Sequence, residues 1–318
     1  MKILHVIDSL GRGGAERLLV MLLPELARQG HEVDLAVLRG PYDLQPELEA
    51  FGVRVSQLPK RHQWNLLARA RDIARVMPDA DIDQAVDALM GAGYGAAGER
   101  CMAVSVAVPV GEETADRLVK ALAPKVAALK IGPSTDTDAD MGPVITEAHK
   151  NKVLGYIDAG VKEGAELVVD GRGFKLQGYE NGYFVGGSLF DRVTPDMSIY
   201  TDEIFGPVLS VVRADSYDMA VDLINKHEYG NGTAIFARDG DAARNFVDRI
   251  QVGMVGVNVP IPVPVGYHSF GGWKRSIFGS HGIYGPEAVH FYTKLKTVTM
   301  RWPTGIRSGA EFNFPSNG

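Results

Sequence analysis

Short apolar runs alternate with amphipathic stretches along the first quarter of the chain. The runs predict strands over 3–7, 33–38 and 53–58, and the amphipathic stretches predict helices over 15–29, 44–50 and 64–76. A strand–helix alternation of this kind is typical of a parallel sheet with helices packed on it. The pattern therefore predicts a small Rossmann-like β-α-β-α-β unit that ends near residue 76.

A second series of strands and helices follows. An acidic segment starts at Met77, and Pro78 with Asp79 and Asp81 suits the beginning of a helix. Five strands are then predicted over 104–110, 165–169, 208–212, 233–236 and 254–258, separated by helices over 113–129, 147–163, 219–226 and 241–250. This order predicts a second α/β domain over 77–318 with a mostly parallel sheet. Residues 291–299 alternate as an edge strand does.

The charge and composition of the chain limit the classes of partner that it is expected to bind. Residues 1–76 carry 11 Lys and Arg against 9 Asp and Glu, whereas the remainder is acidic enough to give the whole chain a net charge of -6. No basic run interleaved with aromatic residues is present, so we expect no nucleic-acid partner. The aliphatic patch at 18–23 is flanked closely by charged residues, so we expect no membrane span.

The chain has 1 cysteine among its 318 residues. An intrachain disulfide is therefore excluded, which fits a reducing compartment. The apolar run at the N-terminus is too short for a signal peptide and stops at Asp8, so we expect a cytoplasmic location.

The cysteine itself, Cys101, follows a glycine-rich approach at 91–98 and leads into an apolar run. Small residues allow close contact with a thiol, and the neighbouring Arg100 would favour a thiolate nucleophile. A small buried hydrophobe is the alternative interpretation, and these residues alone leave both open. A metal site is not expected, since His227, Glu228 and His281 lack ligand spacing and there is no HExxH or cysteine cluster.

The first residues carry a resemblance to a known family. Met1-Lys-Ile-Leu-His-Val-Ile-Asp8, followed by Gly13-Gly-Ala-Glu16-Arg, is similar to the opening of a bacterial glycosyltransferase with two Rossmann-like domains. The similarity covers residues 1 to about 75 and implies a nucleotide-sugar ligand. The glycine loop at 9–16 could present amides to a phosphate, although a plain glycine turn that opens a helix is commoner. The donor-binding residues of that family are not found.

A stronger resemblance covers residues from about 77 to the C-terminus. Its motifs occur in one order: Gly98-Glu-Arg-Cys-Met-Ala103, Lys130-Ile-Gly-Pro133, Met141-Gly-Pro-Val144, Glu203-Ile-Phe-Gly-Pro-Val208, Tyr229-Gly-Asn-Gly232, Gly256-Val-Asn258 and Phe270-Gly-Gly-Trp-Lys-Arg-Ser276. Together they resemble the C-terminal catalytic part of the CoA-acylating methylmalonate-semialdehyde dehydrogenases, within the aldehyde dehydrogenase superfamily.

The resemblance implies a role for each site residue. Cys101 would attack an aldehyde, its amide would donate to the oxyanion, and the thioester would pass to CoA after hydride transfer to NAD. Arg100 would pair with the carboxylate of a semialdehyde, such as malonate or methylmalonate semialdehyde. Glu203 would hold the nicotinamide ribose, and Phe205 would limit the position of the ring. The plainer alternatives are a surface arginine, an exposed carboxylate and a core aromatic residue.

The resemblance also implies what is missing. The dinucleotide-binding half, an oxyanion asparagine and a second substrate arginine are not found, so we expect a chimeric chain with weakened NAD binding and impaired activity. The strand at 291–299 resembles one that joins a neighbouring subunit, which predicts a homo-oligomer. Two other hypotheses stay open: a glycosyltransferase-like fragment that binds a nucleotide sugar, and a non-catalytic subunit that associates with an intact homologue.

Overall fold

A computed structural model describes residues 2–7, 9–11, 14–38, 40–57 and 72–300. The chain divides into two compact units, Met1–Arg69 and Ala70–Gly318. Each unit has its own hydrophobic core. Within the described residues, no helix is both long and apolar enough to cross a bilayer.

The first unit is a three-stranded parallel sheet with two helices. Its elements are β1 (Lys2–Ile7), α1 (Gly14–Arg28), β2 (Glu32–Val37), α2 (Gln45–Glu49) and β3 (Arg54–Gln57), and the strand order is β1-β2-β3. Its core consists of buried leucines and valines from the strands, the helices and the loops between them. Arg12 and Gly13 of the glycine loop lie outside the described residues, so the phosphate interpretation stays a prediction.

The second unit begins with the strand and helix that lead to the cysteine. In chain order its elements are β4 (Asp72–Val76), α3 (Ile82–Tyr94), a 3₁₀ turn (Gly95–Gly98), β5 (Val104–Pro109), α4 (Glu112–Ala127), α5 (Glu147–Glu163), β6 (Glu166–Val169), β7 (Ser188–Asp191), α6 (Ser198–Thr201), β8 (Val208–Val211), α7 (Tyr217–Lys226), β9 (Tyr229–Gly230), β10 (Gly232–Phe236), α8 (Gly240–Arg249), β11 (Met254–Val257), β12 (Trp273–Lys274) and α9 (Glu287–Tyr292).

A seven-stranded sheet organises the second unit. The strand order is β11-β10-β4-β5-β8-β7-β6, and every neighbouring pair is parallel except β6 with β7, which is antiparallel. The central strands are buried on both faces, as their continuous apolar runs indicate. The predicted α/β class with a mostly parallel sheet is confirmed.

The strand β4 corrects the sequence prediction of a helix over 64–76. Residues 64–71 lie outside the described residues, but 72–76 form a strand that pairs with β10 on one side and β5 on the other. All five residues are buried, including Arg75, and a strand in the middle of a sheet buries both faces rather than one. These residues therefore belong to the sheet of the second unit, although the predicted boundary placed them in the first.

Helix caps explain where two of the helices begin. The predicted start of α3 near Pro78 is wrong: the helix begins at Ile82, because the Asp81 side chain accepts from the Gln84 amide and forms the cap. The Asp79 carboxylate instead accepts from the amides of Arg238 and Asp239 at 2.7 and 2.6 Å. The helix α5 matches its prediction, since Thr146 caps its start and a left-handed Gly164 ends it.

The C-terminal segment is the other correction. The sequence predicts a strand over 291–299, but α9 runs through Tyr292 and residues 293–299 form no strand in this chain. A strand needs a hydrogen-bonded neighbour, and the described part of the chain supplies none for this segment. Leu295 is 97% exposed as a result. Pairing with a neighbouring subunit stays a prediction.

Candidate active site

The exposed thiol of Cys101 lies in a turn between α3 and β5. The helix ends at Tyr94, and the 3₁₀ turn Gly95–Gly98 carries the chain into that turn. Ala96 and Ala97 both have φ of 53°, in the left-handed region that residues with a Cβ rarely adopt. Strain of this kind persists only where the surroundings hold the backbone in place, and it is frequent at functional sites.

The turn packs directly on the loop that contains Phe205. Gly98 has φ of +69°, and a Cβ built on it would lie 2.2 Å from the Gly206 carbonyl oxygen. Only glycine allows this approach, which places Phe205 beside the Cys101 turn. Phe205 is half-buried and itself has φ of 58°. The structure therefore brings these two sequence-predicted residues into neighbouring segments.

A carboxylate and an imidazole join the same two segments. The Nε2 atom of His149, on α5, lies 2.6 Å from the carbonyl oxygen of Phe205 and 3.3 Å from Oε1 of Glu99. Glu99 also accepts a hydrogen bond of 3.2 Å from the Ile145 amide. Burial raises the pKa of Glu99, while the Ile145 amide and His149 act in the opposite direction.

An amide group holds the other side of the turn. The Nδ2 atom of Asn231, which directly precedes β10, lies 3.3 Å from the Cys101 carbonyl oxygen and 2.9 Å from Sδ of Met102. The same atom donates to Oδ1 of Asp72 at 3.2 Å. Burial raises the pKa of Asp72 to about 7, against the hydrogen bonds of Asn231 and Gly232, and the nearby charge of Glu203 adds to the rise. Asp72 thus connects the central sheet to the nucleophile turn.

Glu203 lies in the loop between α6 and β8 and is half-buried. Its backbone carbonyl accepts a hydrogen bond of 3.1 Å from Nζ of Lys152. Its charge acts on Asp72, which is hydrogen-bonded through Asn231 to the carbonyl of Cys101. Glu203 therefore lies near enough to Asp72 for its charge to add to the rise in the pKa of that carboxyl.

The exposed side chain of Arg100 lies against the end of α3. A Cβ built on Gly95 would lie 3.7 Å from Cζ of the guanidinium, so the Arg100 side chain folds back over the glycine. In the described ranges, no hydrogen bond or ion pair of this guanidinium is found. A planar cation with five free donors can bind a carboxylate through two parallel hydrogen bonds.

We also searched the described residues for a metal site and for a cavity near the cysteine turn. Across the described ranges, no group of three His, Cys, Asp or Glu side chains could hold a metal ion. A groove of about 540 Å³ includes Tyr200, Met219 and Leu223 in its lining and none of the predicted site residues.

Sequence reasoning missed four residues of the site. Asp72, Glu99, His149 and Asn231 each make the contacts described above across at least 46 positions of sequence. Asn231 lies within the Tyr229–Gly232 motif, and Glu99 lies within the cysteine motif, so a signal was present for these two. For His149 and Asp72 no local pattern indicated a role.

Comparison with known families decides the classification. A model of the aldehyde dehydrogenase family matches residues 52–298. The chain belongs to the aldehyde dehydrogenase family. Its match begins in the first unit and includes all the site residues named above. The cysteine turn, the Phe205 loop and the seven-stranded sheet are thus parts of an aldehyde dehydrogenase fold.

Several relatives within this family are closely similar. Malonate-semialdehyde dehydrogenase of Pseudomonas aeruginosa is 62% identical over 251 residues, which cover 79% of this chain and 50% of that protein. The acylating, mitochondrial methylmalonate-semialdehyde dehydrogenase of Arabidopsis thaliana is 45% identical over 258 residues, 80% of this chain and 42% of that protein.

A solved structure agrees with these relatives. A Sinorhizobium meliloti protein assigned as a methylmalonate-semialdehyde dehydrogenase, complexed with NAD, superposes with a TM-score of 0.72 at 56% identity, over 86% of this chain and 55% of that one. The chain thus spans about half the length of these aldehyde dehydrogenases.

Proposed function

We propose that this chain carries the cysteine-dependent acyl-transfer site of a CoA-acylating malonate- or methylmalonate-semialdehyde dehydrogenase. One observation carries the proposal: an exposed thiol, Cys101, is held in a strained turn whose Gly98 packs against the Phe205–Gly206 loop. High identity to semialdehyde dehydrogenases supports the same chemistry.

The chemistry follows from the position of Cys101. Its thiolate attacks the aldehyde carbon, and the carbonyl oxygen becomes an oxyanion in a thiohemiacetal. The Cys101 amide donates to no hydrogen-bond acceptor among the described residues, so it would be available to donate to this oxyanion. Transfer of the hydride from the thiohemiacetal to NAD would give a thioester, and attack on this thioester by the thiol of CoA would release acyl-CoA and restore Cys101 for another turnover.

The substrate class follows from Arg100. Its guanidinium is exposed next to the nucleophile and has no partner in the described ranges. A semialdehyde with a carboxylate at its other end would supply that partner. Substrates without a carboxylate would leave the cation unpaired, and we therefore propose an acidic semialdehyde.

The nicotinamide end of an NAD site fits the residues present. Phe205 is half-buried, and its backbone is fixed beside the cysteine turn, with Glu203 two residues before it. A bound NAD would supply the hydride acceptor that the thiohemiacetal needs. Glu203 and Phe205 would hold the ribose and limit the position of the ring. The sequence motifs that would bind the adenine end of NAD are not found in this chain. We therefore propose weakened NAD binding and impaired oxidation.

An ester assay tests acyl transfer without the redox step. Cys101 should take an acyl group from a p-nitrophenyl ester and pass it to CoA, so that CoA accelerates release of p-nitrophenol and acyl-CoA forms. The Cys101→Ser variant should lose at least 100-fold of this rate. Acyl transfer at equal rates in the variant would overturn the proposal.

Substrate preference is tested with two esters. The p-nitrophenyl half-ester of malonic acid should react faster than p-nitrophenyl acetate, and Arg100→Leu should remove that preference while it leaves the acetate rate within about threefold. Arg117→Leu, on α4, serves as the matched control. An unchanged preference in Arg100→Leu would mean that Arg100 does not bind the carboxylate.

NAD oxidation is tested directly. We expect little NADH from malonate semialdehyde with CoA and NAD, because the adenine-binding motifs are not found. Rapid NADH formation by the same chain would show that the oxidative step is intact. It would contradict the proposal of impaired oxidation and leave the proposal of acyl transfer unaffected.

We propose two alternative functions, each with its own test. Nucleotide-sugar binding by residues 1–75 would raise the unfolding temperature with UDP- or GDP-sugars. Association with an intact homologue, or with a second copy through 291–299, would give a larger complex in size exclusion. The cytoplasmic location is likewise a proposal.

A further inference from the structure

Three segments meet beside the cysteine: its turn, the helix α5 and the Phe205–Gly206 loop. The backbone of Gly98 contacts the carbonyl of Gly206, and a Cβ built on Gly206 would in turn lie 2.5 Å from Cγ2 of Val153 on α5. No side chain can be inserted at either glycine without moving a neighbour. The backbone packing alone thus places these segments in one arrangement.

The imidazole of His149 adds polar contacts to this packing. Its Nε2 atom is 2.6 Å from the Phe205 carbonyl oxygen, and an oxygen can only accept, so Nε2 carries the hydrogen. Oε1 of Glu99 lies 3.3 Å from the same nitrogen. Both side chains are 15% exposed, which limits competition from water.

The Phe205 backbone needs such a contact. A bulky residue with φ of 58° is strained, because its Cβ is crowded in the left-handed region. The conformation persists only if neighbouring groups favour it over the extended alternatives. The hydrogen bond from His149 binds the carbonyl that would rotate if φ relaxed.

Glu99 brings the cysteine turn into the same set of contacts. It is two residues before Cys101, and its Oε1 accepts from the Ile145 amide at 3.2 Å as well as contacting His149. Ile145 directly precedes Thr146, the N-cap of the helix that carries His149. Glu99 therefore binds both the start of α5 and the imidazole on its first turn.

We propose that Glu99 and His149 are positioning residues that couple the Cys101 turn to the Phe205 loop, so that the nucleophile and the nicotinamide-facing residue keep a fixed relative geometry. The coupling rests on the proposed function only in treating Cys101 and Phe205 as parts of one reaction site. It implies that a change at Glu99 loosens the Phe205 loop, and that a change at His149 loosens the cysteine turn.

Hydrogen exchange followed by mass spectrometry tests the coupling in the full chain. In His149→Leu, we expect exchange to become at least tenfold faster in peptides covering both 99–104 and 203–212, with the central strand β10 unchanged. A purely structural role would accelerate exchange throughout the second unit. His149→Gln, whose amide N–H can still donate to the Phe205 carbonyl, should restore slow exchange at 203–212.

The reciprocal variant and a control complete the experiment. Glu99→Ala, made in the opposite segment, should accelerate exchange at 203–212, and it replaces His149→Leu if that variant does not fold. His281→Leu removes a similar imidazole–carboxylate pair, with Glu287 at 2.6 Å, and should leave both peptides unchanged.

The outcome is separable from the reaction. If exchange in 203–212 stays at the wild-type rate in Glu99→Ala and in a folded His149→Leu, the coupling is overturned. Hydrogen exchange reports the geometry itself, so a failed ester assay would contradict the proposed function and not the coupling. An active enzyme whose variants keep wild-type exchange rates at 203–212 would contradict the coupling and not the proposed function.

Discussion

The backbones of Gly98 and Gly206 are so close together that there is no room for a side chain on Gly98. A Cβ there would be 2.2 Å from the Gly206 carbonyl oxygen, well inside any contact that atoms tolerate. The contact sets the distance between the nucleophile turn and the loop of Phe205. An added methyl group must therefore move one of these segments.

Gly98→Ala should displace the cysteine turn. We expect cysteine-dependent ester turnover to fall at least tenfold, because both the clash and the left-handed φ of +69° oppose a Cβ. Gly91→Ala is the matched control, since a Cβ at that helical position meets nothing within 4 Å. It should stabilise the chain by about 0.5–1 kcal/mol and keep turnover. Equal turnover in both variants would show that the turn tolerates displacement.

Asp72 should make stability depend on pH. Its pKa is raised by burial from 3.8 to about 7, so between these values the folded state holds a proton that the unfolded state has lost. The contribution of the Asp72 carboxyl to stability is therefore fully present below about pH 4. The free energy of unfolding then falls by a few kcal/mol as the pH rises towards 7. Urea unfolding across this range should show the slope, and Asp72→Asn should remove it.

The control for that experiment is an exposed carboxylate. Asp87→Asn, whose side chain is 69% exposed, should keep the wild-type slope. A flat profile in the wild-type protein, or an unchanged slope in Asp72→Asn, would contradict the assignment to Asp72.

Arg75 is a buried cation in the central strand. It is 0% exposed, and burial lowers the pKa of its guanidinium to about 10. The guanidinium stacks on the Tyr217 ring at 3.7 Å and donates to the Tyr217 carbonyl, but Nε and Nη1 have no partner in the described structure. Unpaired buried donors cost free energy that an apolar side chain of similar length avoids.

Arg75→Met should consequently stabilise the second unit by about 1–3 kcal/mol in urea unfolding. Arg244→Met, at an arginine whose side chain is 75% exposed, should change stability by less than about 0.5 kcal/mol. A loss of stability in Arg75→Met would mean that the contact with Tyr217 outweighs the unpaired donors.

Lys274 caps the end of α7. Its Nζ donates to the carbonyls of Ile224, Asn225 and His227 at 3.3, 2.9 and 3.1 Å. These carbonyls end the helix, and a cation near that end is favourable. Lys274→Met should lower the free energy of unfolding by about 1.5–3 kcal/mol. Lys226→Met, at an 80% exposed lysine, should have little effect when measured the same way.

Local patterns predicted the elements whose signals are local. The helix α5 matches its prediction at both ends, since a threonine cap and a left-handed glycine determine them. The strand β7 gave no such signal, because Ser188 and Asp191 begin and end its four residues. The residues of β4 have a pattern that predicts a helix, because their burial on both faces depends on two strands distant in sequence.

The site divides in the same way. Cys101, Arg100, Glu203 and Phe205 lie in motifs that the sequence displays, and their roles remain predictions. The contacts of His149 with Glu99 and Phe205 connect helix, turn and loop, and they exist only after the chain has folded. Residues that position others are found by distance in space rather than by spacing in sequence.

The position of β4 determines how the two units can be separated. A cut after residue 76, at the predicted boundary, would remove the strand between β10 and β5. The strands β10 and β5 would then each have an unpaired edge with free backbone N–H and C=O groups, and such edges promote aggregation. An expression fragment of the second unit should therefore start before Asp72, so that the cysteine turn keeps the strand whose carboxylate supports it.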